Sequence, residues 1–330
     1  MRTATFGWSH GTATLSLTAG MLTSCVFEFE GRRFDPFAHA PWDPSEMPSL
    51  PGHLRMLGAE FVCLPFGEGG RLPGVVDEWA GIIDGTANTP PHGMPADGDW
   101  QLAELRDDGV TLVFEFPADH DIERLERRID GVAGEPALEF SLVVSARRLT
   151  RTSIGLHPIV RLPDEARAIR LQADFEAGFT YPAPVPPGRS HVLPGRSFSH
   201  LDAVPTSNGI EDFTRMPFEK PAEEVVQLAG MRGPVRAVFA GDAAGIEIDW
   251  DRSVLPSVQL WLSDRALQDE PWRGHYRGLG IEPIASAFDL AESVSTSPNP
   301  ISAAGYATCV EVRPGAPLRI GYSLKAFSQK

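Results

Sequence analysis

Val110-Thr-Leu-Val-Phe-Glu-Phe116 interleaves polar positions with apolar ones at a period of two. That spacing puts successive side chains on opposite faces of an extended chain and reads as a half-buried β-strand. Leu138-Glu-Phe-Ser-Leu-Val-Val144 repeats the pattern. So do Ile246-Glu-Ile-Asp-Trp250, Val258-Gln-Leu-Trp-Leu262, Cys309-Val-Glu-Val312 and Leu318-Arg-Ile-Gly-Tyr322. Turn formers separate these runs, at Arg106-Asp-Asp-Gly109, Ile129-Asp-Gly131, Pro187-Gly188 and Pro314-Gly315. Many short strands punctuated by Gly, Pro and Asp predict an all-β sandwich or barrel. Helical pattern is confined to a turn or two at Asp164-Glu-Ala-Arg167 and Asp289-Leu-Ala-Glu-Ser293. An α/β fold needs apolar helices of about ten residues or more between its strands, and none is visible. Two Pro-rich stretches, 40–52 and 181–190, read as surface loops or extended connectors, so residues 1–330 are expected to form a single β-sandwich domain.

The composition fits this. The chain has 330 residues, 42% hydrophobic and 22% charged, with 32 glycines and 30 prolines. Such a chain buries an ample core and is neither disordered nor coiled-coil. Its net charge of -15 repels phosphate backbones and anionic lipid surfaces, so neither nucleic acid nor a membrane is an expected partner. The three cysteines, Cys25, Cys63 and Cys309, are widely spaced with no CxxC pair, which suits buried thiols in a reducing compartment. The N-terminus carries no signal-peptide run, and no stretch reaches the ~18 apolar residues that span a bilayer. A soluble, cytoplasmic protein is expected.

Several motifs carry little. Gly7-Trp-Ser-His-Gly11 matches the G-x-S-x-G nucleophile elbow, but only six residues precede it and strand alternation follows, where the elbow needs a strand and then a helix. It reads as a turn between edge strands. Asp119-His-Asp121 reads as a solvated turn rather than a metal site. Gly67-Glu-Gly-Gly70 lacks the helix and lysine of a phosphate loop.

Three other places carry more: PPHGMPADGDW with His92 and Trp100, GLHPIVRLP with His157, and GHYRGLGIEP with Glu282. His157 and Glu282 each precede a proline, which restricts both to extended backbone. Alternation sets each opposite its apolar neighbours, Ile154 and Leu156 for His157, Leu279 and Ile281 for Glu282. Both side chains should therefore occupy the open face of a sheet whose other face packs on the core.

These elements resemble those of the aldose 1-epimerases, or galactose mutarotases. PHGMPADGDW is similar to that family's first histidine element, GLHPIVRLP to its second, GLGIEP to the strand that bears its catalytic glutamate, and PFGEGGR, ending in Arg71, to its arginine segment. The order Arg71, His92, His157, Glu282 is the family's order, and the likeness runs over nearly the whole chain. The resemblance implies a large antiparallel supersandwich with a sugar site on the concave face of one sheet. It implies Glu282 as general base and His157 as general acid, with His92 beside the ring oxygen. Arg71 and Asp212 would then bind sugar hydroxyls. Trp100, Trp261, Trp272 and Tyr276 offer apolar faces, with Trp261 on the open side. The implied substrate is a free aldose, with no metal and no cofactor. Pro158-Ile159 after the second histidine and Met94-Pro95 after the first depart from the family's usual pattern. Two alternatives share the scaffold: a non-catalytic carbohydrate-binding protein, and a lyase or sugar-phosphate epimerase, which Arg273 and Arg277 near Glu282 keep open.

Overall fold

A computed structural model describes residues 2–185 and 190–329. The Pro187-Gly188 turn lies outside them. Two large antiparallel sheets dominate. One is nine-stranded, with a central run of Ala244–Trp250, Leu318–Ser328, Ala137–Ala146, Ile122–Gly131 and Gly109–Glu115. The other is eight-stranded and centres on Ala222–Ala229, Ser257–Asp264 and Arg277–Ala285. A four-stranded N-terminal sheet, Thr3–Trp8 to Arg32–Phe34, joins the nine-stranded one through the Gly7 amide, which donates to the Asp107 carbonyl at 3.1 Å.

The alternating run Val110–Phe116 falls on the strand Gly109–Glu115. Its Val110, Leu112 and Phe114 face inward, as do Leu138, Phe140, Leu142 and Val144 two strands away. From the eight-stranded sheet, Leu279, Ile281, Leu260, Leu262, Val226 and Leu228 meet them in one continuous apolar core. Each such side chain contributes roughly 1.5–3 kcal/mol by leaving water. Because side chains alternate, committing these residues inward turns their neighbours to the other face of the eight-stranded sheet.

One ion pair sits inside this core. Arg127, from Ile122–Gly131, and Glu60 are both fully buried and paired through Nη2 and Oε2. Arg127 also donates to the Gly20 carbonyl, and the Tyr322 hydroxyl donates to Glu60 Oε1 at 3.1 Å. Glu60 belongs to the segment that pairs beside His157: the His157 amide donates to the Phe61 carbonyl at 2.9 Å and the Ile159 amide to that of Ala59 at 2.9 Å.

Local expectations divide. Gly7–Gly11 is the tight turn of a hairpin, with Trp8 paired to Gly11. The helical turn expected at Asp289–Ser293 is displaced to Glu292–Thr296, because the Asp289 carbonyl already accepts from the Glu68 and Gly69 amides at 2.8 and 3.1 Å. Asp164–Arg167 is not helical, and Arg167 takes a left-handed φ of 63°. Cys25 and Cys63 are buried, Cys309 is half-buried, and all three are free thiols. Among the described residues no helix is long and apolar enough to cross a membrane.

Candidate active site

The outward face of the eight-stranded sheet is built in register. Glu282 stands opposite Gln259, and Gln259 opposite Gln227. Gly280 stands opposite Trp261, and Trp261 opposite Val225; Gly278, Ser263 and Glu223 form the next rung. Loops close over this face and leave a cavity of about 340 Å³, within the usual range for small ligands. The face expected to be open is thus covered, and Glu282 is fully buried while His157 is 5% exposed.

Glu282 and His157 meet across a break in the sheet. Ile154–Leu156 pairs with Ile284 and Ala285, and Ile159–Arg161 pairs with Gly278, Leu279 and Gly280. Between them the chain passes His157-Pro158, opposite Glu282-Pro283. Proline has no N–H to donate, so the ladder is interrupted there and both side chains turn inward. His157 Nε2 lies 3.3 Å from Glu282 Oε1, and Glu282 Oε2 accepts from Gln259 Nε2 at 2.8 Å. A methyl group on Gly280 would land on Glu282 Oε1, so the glycine supplies the space in which the carboxylate lies. Phe61 stacks on the His157 ring, with centroids 4.4 Å apart and planes at 17°.

His92 enters from the loop that follows Cys63. It has a left-handed φ of 57°, and Gly93 follows at 83°. A Cβ on Gly93 would overlap the Leu64 carbonyl, which explains the His-Gly pair. The His92 ring packs edge-on to His157 at 5.3 Å and to His53 at 5.1 Å. His92 Nε2 lies 3.7 Å from Glu68 Oε1. One ligand atom each from His53, Glu68 and His92 lies within 4.8 Å of the others.

Burial decides the charges. It pushes His157 down to about 3 and His53 down to about 4, and it holds His92 well below the usual imidazole range. It also pushes Glu282 well above the carboxylate range and Glu223 up to about 8, and it raises Asp289. Several polar atoms lining the cavity have no protein partner: Nδ1 of all three histidines, Glu223 Oε2, Glu282 Oε1 and Asp289 Oδ1. Buried polar atoms are rarely left unpaired, and so many on the residues around one cavity leave it with hydrogen-bonding capacity for a polar ligand. Trp261 and Trp272 add an apolar wall, and Trp261 Nε1 donates to Glu223 Oε1 at 2.5 Å.

Of the residues singled out in the sequence, the structure brings Glu282, His157, His92 and Trp261 together around this cavity. Trp272 lines it, and Tyr276 stacks behind Trp261 at 5.8 Å. Three others lie elsewhere. Trp100 is fully buried in the inter-sheet core, where its Nε1 donates to the Pro95 carbonyl at 2.8 Å; it supports the His92 loop from below and has no face for a sugar. Asp212 sits in the turn before Arg215–Met216, where its Oδ1 accepts from the Thr214 amide at 2.8 Å, and it does not line the cavity. Arg71 is exposed beside Gly85, also outside the lining; Glu68, three residues earlier, takes the place by the cavity. Arg277 pairs with Asp264 and Asp164 and Arg273 with Glu270, and neither lines the cavity.

Besides Glu68, four more residues around the cavity carried no signal in the sequence. His53 follows the Pro-rich stretch that read as a loop; it sits on Gly52–Met56, which Asp97 Oδ1 anchors through the Gly52 amide at 2.8 Å. Glu223 is read correctly only once Val226 and Leu228 are known to face the core. Gln259 lay within a quoted strand without being singled out. Asp289 is held in place by Gln227, which binds the Ser286 carbonyl and the Phe288 amide at 3.0 and 2.8 Å. A wider groove of about 750 Å³, beside Arg151, Asn299 and Cys309, contains no histidine.

No family model matches the chain, and no curated protein matches it by sequence. Solved structures do match. An aldose epimerase homologue from C. elegans aligns over 100% of this chain and 99% of its own, with TM-score 0.66 and 12% identity. A galactose mutarotase-like protein from Lactobacillus casei aligns over 99% and 100%, with TM-score 0.62 and 14% identity. Another from Clostridium acetobutylicum aligns over 98% and 94%, with TM-score 0.61 and 13% identity. The chain therefore has the galactose mutarotase-like sandwich fold, as the resemblance of its motifs implied.

Proposed function

We propose that the protein interconverts the α and β anomers of a free aldose. The observation that carries this reading is the contact between His157 Nε2 and Glu282 Oε1 at the base of a cavity sized for a single sugar ring. Mutarotation removes the proton from the anomeric hydroxyl and protonates the ring oxygen as the C1–O5 bond breaks. After rotation about C1–C2 the same transfers run in reverse. Burial disfavours charge on either partner, and the contact between them lets the pair take a proton at one end while giving one at the other. In the ion-pair form of that contact Glu282 is the base and His157 the acid. Phe61, stacked on the His157 ring, and Gln259, bonded to Glu282, fix the two groups. His92 stands beside His157, on the ring-oxygen side in this reading. Glu223 and Asp289 provide acceptors for hydroxyls, in the role first expected of Arg71 and Asp212.

Anomer exchange measured by NMR on aldoses tests this. Glu282→Gln should lower the rate constant by about 10²–10⁴-fold, the usual contribution of one acid–base group. A folded protein that accelerates exchange of no aldose in the panel, yet binds one, is instead a carbohydrate-binding protein on the same scaffold.

A further inference from the structure

We propose that His53, Glu68 and His92 form a binding site for a divalent transition-metal ion of the zinc class. Two imidazoles and one carboxylate are a donor set that suits zinc and its neighbours, and the nitrogen ligands disfavour magnesium and calcium. The three ligand atoms lie within 4.8 Å of one another. Zinc bonds of about 2.0–2.2 Å require them closer than that. Glu68 is the residue that can move, since its side chain is 57% exposed whereas His92 is held by its backbone.

The scaffold already joins the three. The His92 amide donates to the Gly67 carbonyl at 2.8 Å, and the Asn88 amide to the Glu68 carbonyl at 2.7 Å, so Glu68 and His92 sit on two tied arms of one loop. Asp97, five residues after His92, anchors the start of the helix that presents His53. Independently of the cluster, Nδ1 of His53 and of His92 is buried with no partner. Glu223, Glu282 and Asp289 line the same cavity, so further oxygen donors face the space beside the cluster. The positions that three ligands leave open would face the cavity and could take two neighbouring hydroxyls of a sugar. The proposal does not depend on mutarotase activity, because metal binding is read without any sugar.

The test uses the full chain, stripped with a chelator and titrated with Co²⁺ and then Zn²⁺. One equivalent of Co²⁺ should give the intense visible absorption of a low-coordinate nitrogen–oxygen site, and Zn²⁺ should displace it. His53→Ala and Glu68→Gln should each weaken binding about tenfold or more. His39→Ala, at an exposed histidine paired with Asp35 and outside the cluster, should leave it unchanged. Glu68→Gln alters a half-exposed side chain and keeps the test valid if His53→Ala does not fold. The proposal is overturned by the absence of the cobalt spectrum at millimolar metal, or by binding that survives Glu68→Gln and falls with His39→Ala.

Discussion

Removing Arg127 together with its partner should cost no more than removing Arg127 alone. Arg127→Met leaves the fully buried Glu60 carboxylate with the Tyr322 hydroxyl as its remaining side-chain partner among the described residues. Stranding one member of a buried pair costs about 3–5 kcal/mol. Glu60→Leu strands the guanidinium and should cost a similar amount. The double variant strands no charge. It leaves only two neutral orphans, the Gly20 carbonyl and the Tyr322 hydroxyl, at about 1–3 kcal/mol each, so it should be no less stable than either single variant. The coupling energy in a double-mutant cycle is then about 4 kcal/mol, opposite in sign to further destabilisation. Urea unfolding followed by circular dichroism measures it, with the m-value checked for each variant. Costs that simply add, or an Arg127→Met variant within about 1 kcal/mol of the parent, would refute the argument that this pair is an obligate unit. Because Glu60 lies beside Phe61, the single variants should also loosen the stacking on His157.

Two further outcomes follow from the cavity. Glu223 is 3% exposed, and burial raises its folded-state value from 4.5 to about 8, so the folded protein binds this proton more tightly than the unfolded chain. Its contribution to stability is complete below pH 4.5 and is lost as pH rises towards 8, at up to about 1.4 kcal/mol per pH unit. Glu223→Gln should flatten the stability-versus-pH curve across that window; equal slopes in the two proteins would show that Glu223 is not the group responsible. Gly280→Ala should cost about 1–3 kcal/mol of stability and lower anomer-exchange activity about tenfold or more, since the added methyl overlaps the buried end of Glu282 and displaces the carboxylate proposed as base. Full activity in this variant would show that the carboxylate need not lie over the glycine.

The sandwich was legible because its central strands carry a period-two pattern that survives into the structure: Gly109–Glu115 and Ala137–Ala146 face the core with the residues the alternation selected. His157 and Glu282 were legible because a proline after each one leaves a local mark. Their meeting was not, since a contact between residues 157 and 282 depends on which strands pair. Trp100 failed as a site residue because an indole suits a core as well as a sugar, and only its neighbours decide which. Asp212 failed because order along the chain was its sole support, and it caps its own turn instead. His53 was hidden because a helix of only five residues, Gly52–Met56, leaves no periodic signal. Glu223 was hidden because Ala222–Ala229 is buried on both faces, so alternation of polarity says little about which side it faces.

The space over Gly280 has a consequence for finding such sites in other chains. The carboxylate reaches back two residues along its own strand, so a side chain at that position and a correctly placed carboxylate exclude each other. Gly280-Ile-Glu282-Pro283, with Gln259 directly across the ladder, is then a four-part signature in which a missing side chain is as informative as the acid. A search written around the histidines alone would pass over it. A chain with an alanine or larger residue in place of the glycine should be expected to keep the sandwich and to place its carboxylate elsewhere.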